Sequence, residues 1–229
     1  YVCDTARSTT LGLGSVRIHT VEHVLAAVHA FEIDNLIIEL STIEPPVGNG
    51  SSDVFVKMIE EAGIFEQEDY EDVLTLKEPI FHSDNDIHLV ALPHKGFKIS
   101  YTLNYPETAA IKSQYRSFHI TKETFNHEIA SCRTFALYEE VSALMDRGLI
   151  KGGSLDNAVI VKGEAIFSKG GLFFPDEMVR HKILDLIGDL SLVGFHINAH
   201  VIAIRSGHAA NVMLAKLLVG SIEHQEKSL

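Results

Sequence analysis

A histidine and two aspartates recur at four-residue spacing in one segment of the chain, at His181, Asp185 and Asp189. Residues four apart lie on the same face of a helix, so these three side chains would stack together. Large apolar residues fill the remaining positions, which predicts a helix packed in a core. Burying these groups is unfavourable unless a cation or a proton partner meets them. An imidazole and a carboxylate one turn apart are common ligands of Zn²⁺.

A surface ion pair is the ordinary explanation of a single His–Asp pair at this spacing. The second aspartate and the apolar flanks favour a site instead.

The composition is that of an ordinary globular protein and narrows the range of partners. The chain has 229 residues, 22% of them charged, and a formal charge of −12. A nucleic-acid partner needs a basic face, so the acidic balance argues against one. No run approaches the length of a membrane span and no leader pattern opens the chain, so we expect a cytoplasmic protein without stable membrane insertion. Cys3 and Cys132 lie far apart, which favours a reducing compartment over disulfides. We also expect a monomer.

The elements that carry the chemistry occur twice along the chain. The first block predicts a helix from Val21 to about Phe31 with Thr20 as N-cap, the strand Ile33–Leu40, and a helix from about Asp53 to Ala62. The second predicts a helix around His181, the strand Ile197–Ile204, and a helix from Ala209 to about Leu218. Both blocks read V-x-H, then Ile-Asp or Ile-Asn opening an apolar strand, then a glycine turn and a helix. This order indicates an internal duplication.

The fold class that follows is α+β, with two related sheet-plus-helices domains packed face to face. Four more strands are predicted between the blocks, at Val73–Leu76, His88–Leu92, Lys98–Tyr105 and Ala158–Val161. We place the first domain at residues 1–70, the second at 71–220 with an insert near 135–160, and a tail at 221–229.

The duplication brings a further histidine into the predicted site. If the two units pack about a pseudo-twofold axis, His23 and His181 lie on equivalent helices that face each other. A metal at this seam would take His23 from the first unit, and His181 and Asp185 from the second. Three protein ligands with an open fourth position describe a catalytic zinc site. Without the repeat, His23 would be read as an ordinary core histidine.

Two other residues have the chemistry of proton transfer. Glu22 leaves the helix about 100° from His23, so it can approach a water at the metal without binding the metal. His208 begins a helix, whose positive end lowers the pKa of an imidazole, whereas a carboxylate such as Asp189 would raise it. A protonated His208 could act as general acid or stabilise an oxyanion.

At this point the chain resembles the zinc-dependent UDP-3-O-acyl-N-acetylglucosamine deacetylases of lipid A biosynthesis, and its chlamydial members most. The resemblance covers nearly the whole sequence, with several motifs in the right order. These are Thr20-Val-Glu-His23, Ile33-Asp-Asn35, Gly50-Ser51, Cys132-Arg-Thr-Phe135, Arg147-Gly-Leu149, Gly152-Gly153, the stretch from Val179 to Leu190, and Ser206-Gly-His208.

The resemblance implies a role for each residue of the constellation. His23, His181 and Asp185 would bind zinc, and Glu22 would be the base that activates water for attack on the acetamide. His208 would be the protonated histidine, with Asp189 as its charge partner. Two further implied roles are the oxyanion-stabilising hydroxyl of Thr134 and the cation Lys182 near the sugar or its diphosphate. Whether Glu22 makes both proton transfers or shares them with His208 is left open.

The resemblance also assigns a passage for the acyl chain of the substrate. A helix is predicted from about Phe135 to Arg147, and its apolar stripe alone favours plain core packing. In the family this region is an inserted element that lines the passage. The residues expected there are Phe135, Leu137, Val141, Ile150 and Leu155.

Three departures from the family pattern are present. Asn49 stands where the family usually has Asp, which would change a loop contact without loss of a catalytic role, and Ala209-Ala210-Asn211 keeps only part of the family's Asn-rich turn. The family's first strands would precede Tyr1, so we expect an incomplete first sheet, which bears on stability and substrate binding. The alternatives are a zinc amidohydrolase of the same scaffold acting on another N-acyl substrate, and an inactive metal-binding fragment. A third alternative is a His/Asp set that only stabilises an interface.

Overall fold

The computed structural model describes residues 1–71, 73–146 and 155–226, and it has mixed α/β architecture with three sheets. The helices are α1 Glu22–Ala30, α2 Asp53–Ala62, α3 Lys122–Thr124, α4 Tyr138–Asp146, α5 Glu177–Ser191 and α6 His208–Glu226; a π-helical turn, Phe125–Ile129, follows α3. The strands are β1 Val2–Asp4, β2 Thr10–Leu13, β3 Val16–Ile18, β4 Leu74–Thr75, β5 Ile80–Asp84, β6 Ile87–Pro93, β7 Phe97–Tyr105, β8 Lys112–His119, β9 Phe135–Leu137, β10 Val159–Lys162, β11 Ala165–Phe167 and β12 Ile197–Ile204. Within these ranges no helix has the length and apolar character that a membrane span requires.

The largest sheet has six strands and is centred on β12. Its order is β5-β6-β12-β7-β8, and β4 pairs with the beginning of β12. β12 runs parallel to β7 and antiparallel to β6. Alternate residues of β12 are buried, as the two-residue period of a strand with one covered face requires. The covered face packs against α5 and α6.

Helix α5 forms the centre of the core. Nearly every residue from Glu177 to Leu190 is buried, and only Lys182 is partly exposed. A helix buried on all sides needs apolar residues at all angles, which explains the distribution of Ile and Leu around α5. It packs against α1, α6 and β7, so it connects the first part of the chain with the large sheet.

Two small sheets flank this core. β1, β2 and β3 form an antiparallel sheet immediately before α1. β9 pairs parallel with β10, which pairs antiparallel with β11. The first small sheet directly precedes α1 in sequence. In the second, β9 precedes α4 in sequence, and β10 and β11 follow it.

Most of the predicted elements are confirmed. α2 and β12 have the predicted limits, α1 and α5 lie where their periodicity indicated, and the four strands between the blocks correspond to β4, β6, β7 and β10. The sequence analysis did not predict seven strands, most of which are short or mainly exposed: β1, β2, β3, β5, β8, β9 and β11.

The predicted strand at Ile33–Leu40 is wrong. This segment has no strand pairing among the described residues, and Ile37 is 87% exposed. A short apolar segment rich in Ile and Leu predicts a strand, but a strand also needs a neighbour with which it can exchange backbone hydrogen bonds. The apolar pattern is present here without such a neighbour.

The limits of three helices are also corrected. The N-cap of α1 is Val21, because Thr20 has a positive φ of 54° and its hydroxyl donates to Glu44 instead. The helix predicted from Phe135 begins at Tyr138, since Phe135–Leu137 pairs with β10 as a strand. α6 starts at His208 and continues to Glu226, into the segment expected as a tail.

Candidate functional site

The crossing of α1 and α5 brings the two predicted halves of the site together. At Gly188 a Cβ atom would lie 2.0 Å from the backbone oxygen of Glu22, so only glycine permits this approach. The close crossing places His23 beside His181, with ring centroids 5.1 Å apart and planes at 80°. The structure therefore juxtaposes histidines that are far apart in sequence.

Three donor atoms converge at this crossing. Oδ1 of Asp185 lies 3.5 Å from Nε2 of His23 and 3.3 Å from Nε2 of His181. Ligand atoms of the three residues all lie within 4.8 Å of one another, and all three residues are buried. Within the described residues, this is the one group of three or more His, Cys, Asp or Glu side chains with such convergence.

Neighbouring groups orient the donors. Nδ1 of His181 hydrogen-bonds the carbonyl oxygen of Cys132 at 3.0 Å, which leaves Nε2 directed at Asp185. Nζ of Lys182 donates to Oδ2 of Asp185 at 2.7 Å, so Oδ1 is the oxygen left for the histidines. The loop that carries the Cys132 carbonyl is held by a buried ion pair, in which Nε of Arg133 lies 2.8 Å from Oε1 of Glu177.

The protonation states of His181 and Asp185 favour the binding of a cation. Burial lowers the pKa of His181 to about 4, so its imidazole is neutral near pH 7. Burial opposes ionisation of Asp185, but His181, Lys182 and a hydrogen bond from His23 hold its pKa well below the usual value. A neutral imidazole and an ionised carboxylate are the forms that ligate zinc. The residues present therefore fit a Zn²⁺ ion on the chemistry of the donor set.

Glu22 lies beside this donor set and is buried. Its Oε2 accepts a hydrogen bond from the backbone amide of Thr9 at 3.0 Å, and Oε1 is 4.0 Å from Nε2 of His208. Burial raises the pKa of Glu22, which brings a carboxylate closer to the range where it can take and release a proton.

His208 and Asp189 form a buried pair. Nδ1 of His208 hydrogen-bonds Oδ2 of Asp189 at 2.9 Å. Burial alone would lower the pKa of His208, but this hydrogen bond and the charges of Asp185 and Asp189 raise it to about 9. The imidazole is therefore protonated near neutral pH, as an acid requires.

One cavity of about 330 Å³ is lined by all the polar residues predicted to act, except the buried Asp189. They are Glu22, His23, Thr134, His181, Lys182, Asp185 and His208. Thr134 is placed there by the loop at Gly50, whose carbonyl accepts the Thr134 amide at 2.7 Å. Gly50 has φ of +83°, and a Cβ would meet the backbone of Asn157 at 2.1 Å.

The residues predicted for the acyl passage are only partly brought to this cavity. Phe135 and Leu137 line it, whereas Val141 and Leu155, both described, line neither it nor the adjoining cavity. Leu155 is 47% exposed. Ile150 lies outside the described residues, so its predicted role remains a prediction.

Two residues at the site were missed by the sequence analysis. Thr9 donates from its hydroxyl to Oδ1 of Asp189 at 2.6 Å, and Asn211 donates to Oδ2 at 2.9 Å. Asn211 follows His208 by three residues, so helical spacing could have placed both on one face of α6. Thr9 precedes a short strand and has no periodic signal.

Two histidines and one carboxylate, with a second carboxylate and a protonated histidine beside them, are typical of metal-dependent hydrolases. Sequence comparison identifies the family. The sequence model of LpxC, the UDP-3-O-acyl N-acetylglycosamine deacetylase, matches residues 1–220, and the chain belongs to this family.

Its relatives include three chlamydial proteins, each a UDP-3-O-acyl-N-acetylglucosamine deacetylase. The chain is 53% identical to that of Chlamydia pneumoniae over 97% of its own length and 79% of the relative's. It is 52% identical to the protein of Chlamydia felis (strain Fe/C-56), over 97% of its own length and 80% of the relative's. It is 50% identical to that of Chlamydia trachomatis serovar L2, over 99% of its own length and 79% of the relative's. The predicted family is confirmed.

Proposed function

We propose that the chain hydrolyses the N-acetyl group of UDP-3-O-acyl-N-acetylglucosamine, giving acetate and the free amine in lipid A biosynthesis, with Zn²⁺ held by His23, His181 and Asp185. Family membership makes the chain a deacetylase, which is a hydrolase acting on an amide. The observation that carries the proposal is the convergence of two imidazoles and one carboxylate in a cavity that Glu22 and His208 also line.

The proposed zinc ligands come from both repeats of the chain. This supports two related α+β units, residues 1–70 and 71–220, meeting where α1 packs on α5. When bound, zinc supplies a positive charge that polarises a carbonyl and acidifies water.

Glu22 is proposed as the base. Its carboxylate takes a proton from the attacking water, whose oxygen forms a bond to the acetamide carbon. The amide of Thr9 holds one carboxylate oxygen, and the other faces the cavity side where His208 lies. The raised pKa of Glu22 supports this role, because a stronger base accepts the water proton more readily.

His208 is proposed as the acid that protonates the departing nitrogen as the carbon–nitrogen bond breaks. Its pKa of about 9 keeps the proton available at neutral pH, and Asp189 holds the ring through Nδ1, leaving Nε2 for the substrate. The hydroxyl of Thr134 would stabilise the oxyanion that forms on the carbonyl oxygen. Transfer of the water proton by Glu22 to the amine is the competing scheme.

The acyl chain of the substrate is proposed to run past Phe135 and Leu137. A second cavity of about 580 Å³ shares Leu137, Tyr105 and Lys182 with the first, so an apolar chain could continue from one to the other. Lys182 lines both cavities, and its ammonium group has donors besides the one that binds Asp185, which suits the sugar diphosphate. Contributions from Val141, Ile150 and Leu155 stay predictions.

The test is a deacetylation assay on the purified chain with zinc determined by elemental analysis. We expect turnover of the UDP-sugar and none of simple acetylated amines or acetylated peptides. Glu22→Ala should abolish turnover and leave zinc near one per chain. Asp185→Ala should lower the zinc content, and the exposed Glu39→Ala is the matched control, with both quantities unchanged.

Each alternative gives a different result. Turnover of other N-acyl compounds at equal rates would assign a different substrate. Bound zinc without any turnover would indicate an inactive metal-binding fragment. Absence of metal would indicate that the His/Asp set only stabilises the helix crossing.

A further inference from the structure

Thr9 contacts both members of the proposed acid–base pair. Its amide donates to Oε2 of Glu22 at 3.0 Å, and its hydroxyl donates to Oδ1 of Asp189 at 2.6 Å. Its carbonyl accepts the amide of Val21, at 3.3 Å, immediately before α1. All the polar groups of one residue are thus engaged at the site.

The burial of Thr9 makes these contacts consequential. The residue is 0% exposed, so water cannot replace a lost hydrogen bond without rearrangement. Asp189 is also 0% exposed and accepts three hydrogen bonds, from Thr9, Asn211 and His208. A carboxylate held on both oxygens cannot rotate freely, so its orientation fixes the imidazole of His208.

We propose that Thr9 is a positioning residue for the reaction, aligning the base Glu22 through its amide and the acid His208 through Asp189. The inference rests on the proposed function of the site. Thr9 comes from the segment before β2, Glu22 from α1, Asp189 from α5 and His208 from α6. One residue therefore ties three helices together at the point where protons are transferred.

The variant Thr9→Val replaces the hydroxyl with a methyl group of similar size and keeps the backbone amide. Asp189 would lose the donor on Oδ1 and could tilt away from His208, while Glu22 would keep its amide donor. A hydrogen bond to a charged group corresponds to roughly a 10- to 100-fold effect on a rate. We therefore expect kcat to fall by about 10- to 100-fold, with KM within about twofold and zinc content unchanged.

Two more variants separate positioning from packing. Thr9→Ser restores the hydroxyl, so kcat should return to within about threefold of the starting protein. Thr10→Val is the matched control, because Thr10 is a neighbouring buried threonine whose hydroxyl contacts His19 and not the catalytic groups. Its kcat should be unchanged. If Thr9→Val does not fold, Thr9→Ala removes the same hydroxyl without placing a methyl group against Asp189.

A second readout needs no substrate. The proton on Nδ1 of His208, bonded to Asp189, gives an imidazole resonance that can be assigned by its loss in His208→Gln. Thr9→Val should shift this resonance, Thr9→Ser should restore it, and Thr10→Val should leave it in place. If the starting protein does not hydrolyse the UDP-sugar, the proposed function fails, but this resonance still tests the role of Thr9.

An unshifted resonance together with unchanged kcat in Thr9→Val would overturn the inference. So would a Thr9→Ser protein as impaired as Thr9→Val, since a side chain that keeps the hydroxyl would then not preserve the rate. Equal losses in Thr9→Val and Thr10→Val would also reject it, because a general packing defect would explain both.

Discussion

Replacing Gly188 by alanine should separate α1 from α5 and weaken the proposed metal site. The new Cβ would lie 2.0 Å from the backbone oxygen of Glu22, whereas ordinary contact begins at 3.4 Å. Backbone atoms cannot turn aside like a side chain, so α1 must retreat by about 1.4 Å, the difference between these two distances. His23 is the next residue and would move with it.

The expected magnitudes follow from this displacement. Zinc ligation tolerates about 0.2 Å in bond length, so a shift of this size should reduce zinc affinity on the order of 10- to 100-fold. Overpacking by one methyl group costs about 1–3 kcal/mol, and rigid backbone contact favours the upper value. For a chain of this length, the Tm should fall by roughly 6–12 °C.

Calorimetry for Tm and a competitive chelator titration for zinc affinity measure both effects. Gly220→Ala is the matched control, because Gly220 also lies inside a helix, α6, but has no atom within 4 Å of the added Cβ. Alanine there should stabilise the helix by about 0.5–1 kcal/mol. Wild-type Tm and zinc affinity in Gly188→Ala would refute the claim that the close crossing positions His23.

Two pH predictions follow from His208 and His29. Because the folded pKa of His208 is raised to about 9, the acid is lost as pH rises through that value; kcat/KM should decline above about pH 9, and Asp189→Asn should move the decline towards neutral pH. If the decline of kcat/KM occurs at the same pH in Asp189→Asn, the assignment of His208 as the acid is contradicted. Burial, and secondly the charge of His196, lower the pKa of His29 in the folded protein to about 4. As pH falls, His29 therefore takes up a proton in the unfolded chain before it does so in the folded one. The free energy of unfolding decreases for this reason between about pH 6.5 and pH 4. From pH 7 to pH 5 this group should contribute a loss of roughly 2 kcal/mol, which urea unfolding of His29→Asn should lack.

More of the candidate site than of the fold could be predicted from the sequence. His181 and Asp185 share a helix, so periodicity alone places them together, and the V-x-H repeat related His23 to His181. Thr9 could not be found in this way, because it lies on an irregular segment and reaches Asp189 across 180 positions of sequence. Contacts of that kind depend on how elements pack, and no local pattern encodes them.

The segment Ile33–Leu40 shows that a sequence pattern can also predict an element that does not form. Its apolar pattern matches the strand of the second repeat, yet only the second copy forms a strand, because β12 has β6 and β7 as neighbours. A pattern specifies which face a residue would present, whereas pairing decides whether the strand exists. The shared pattern therefore predicted both helices correctly, but only one of the two strands.

Charge compensation explains how the buried donor set can exist before a cation binds. Asp185 lies among apolar neighbours on α5, where an isolated carboxylate would be strongly disfavoured. Lys182 neutralises it from one side at 2.7 Å and leaves Oδ1 directed at the two imidazoles. Since His181 is already neutral and Asp185 already ionised near pH 7, these two ligands need not lose a proton when a cation binds. Lys182 thus stabilises the buried carboxylate and leaves its second oxygen available to a cation.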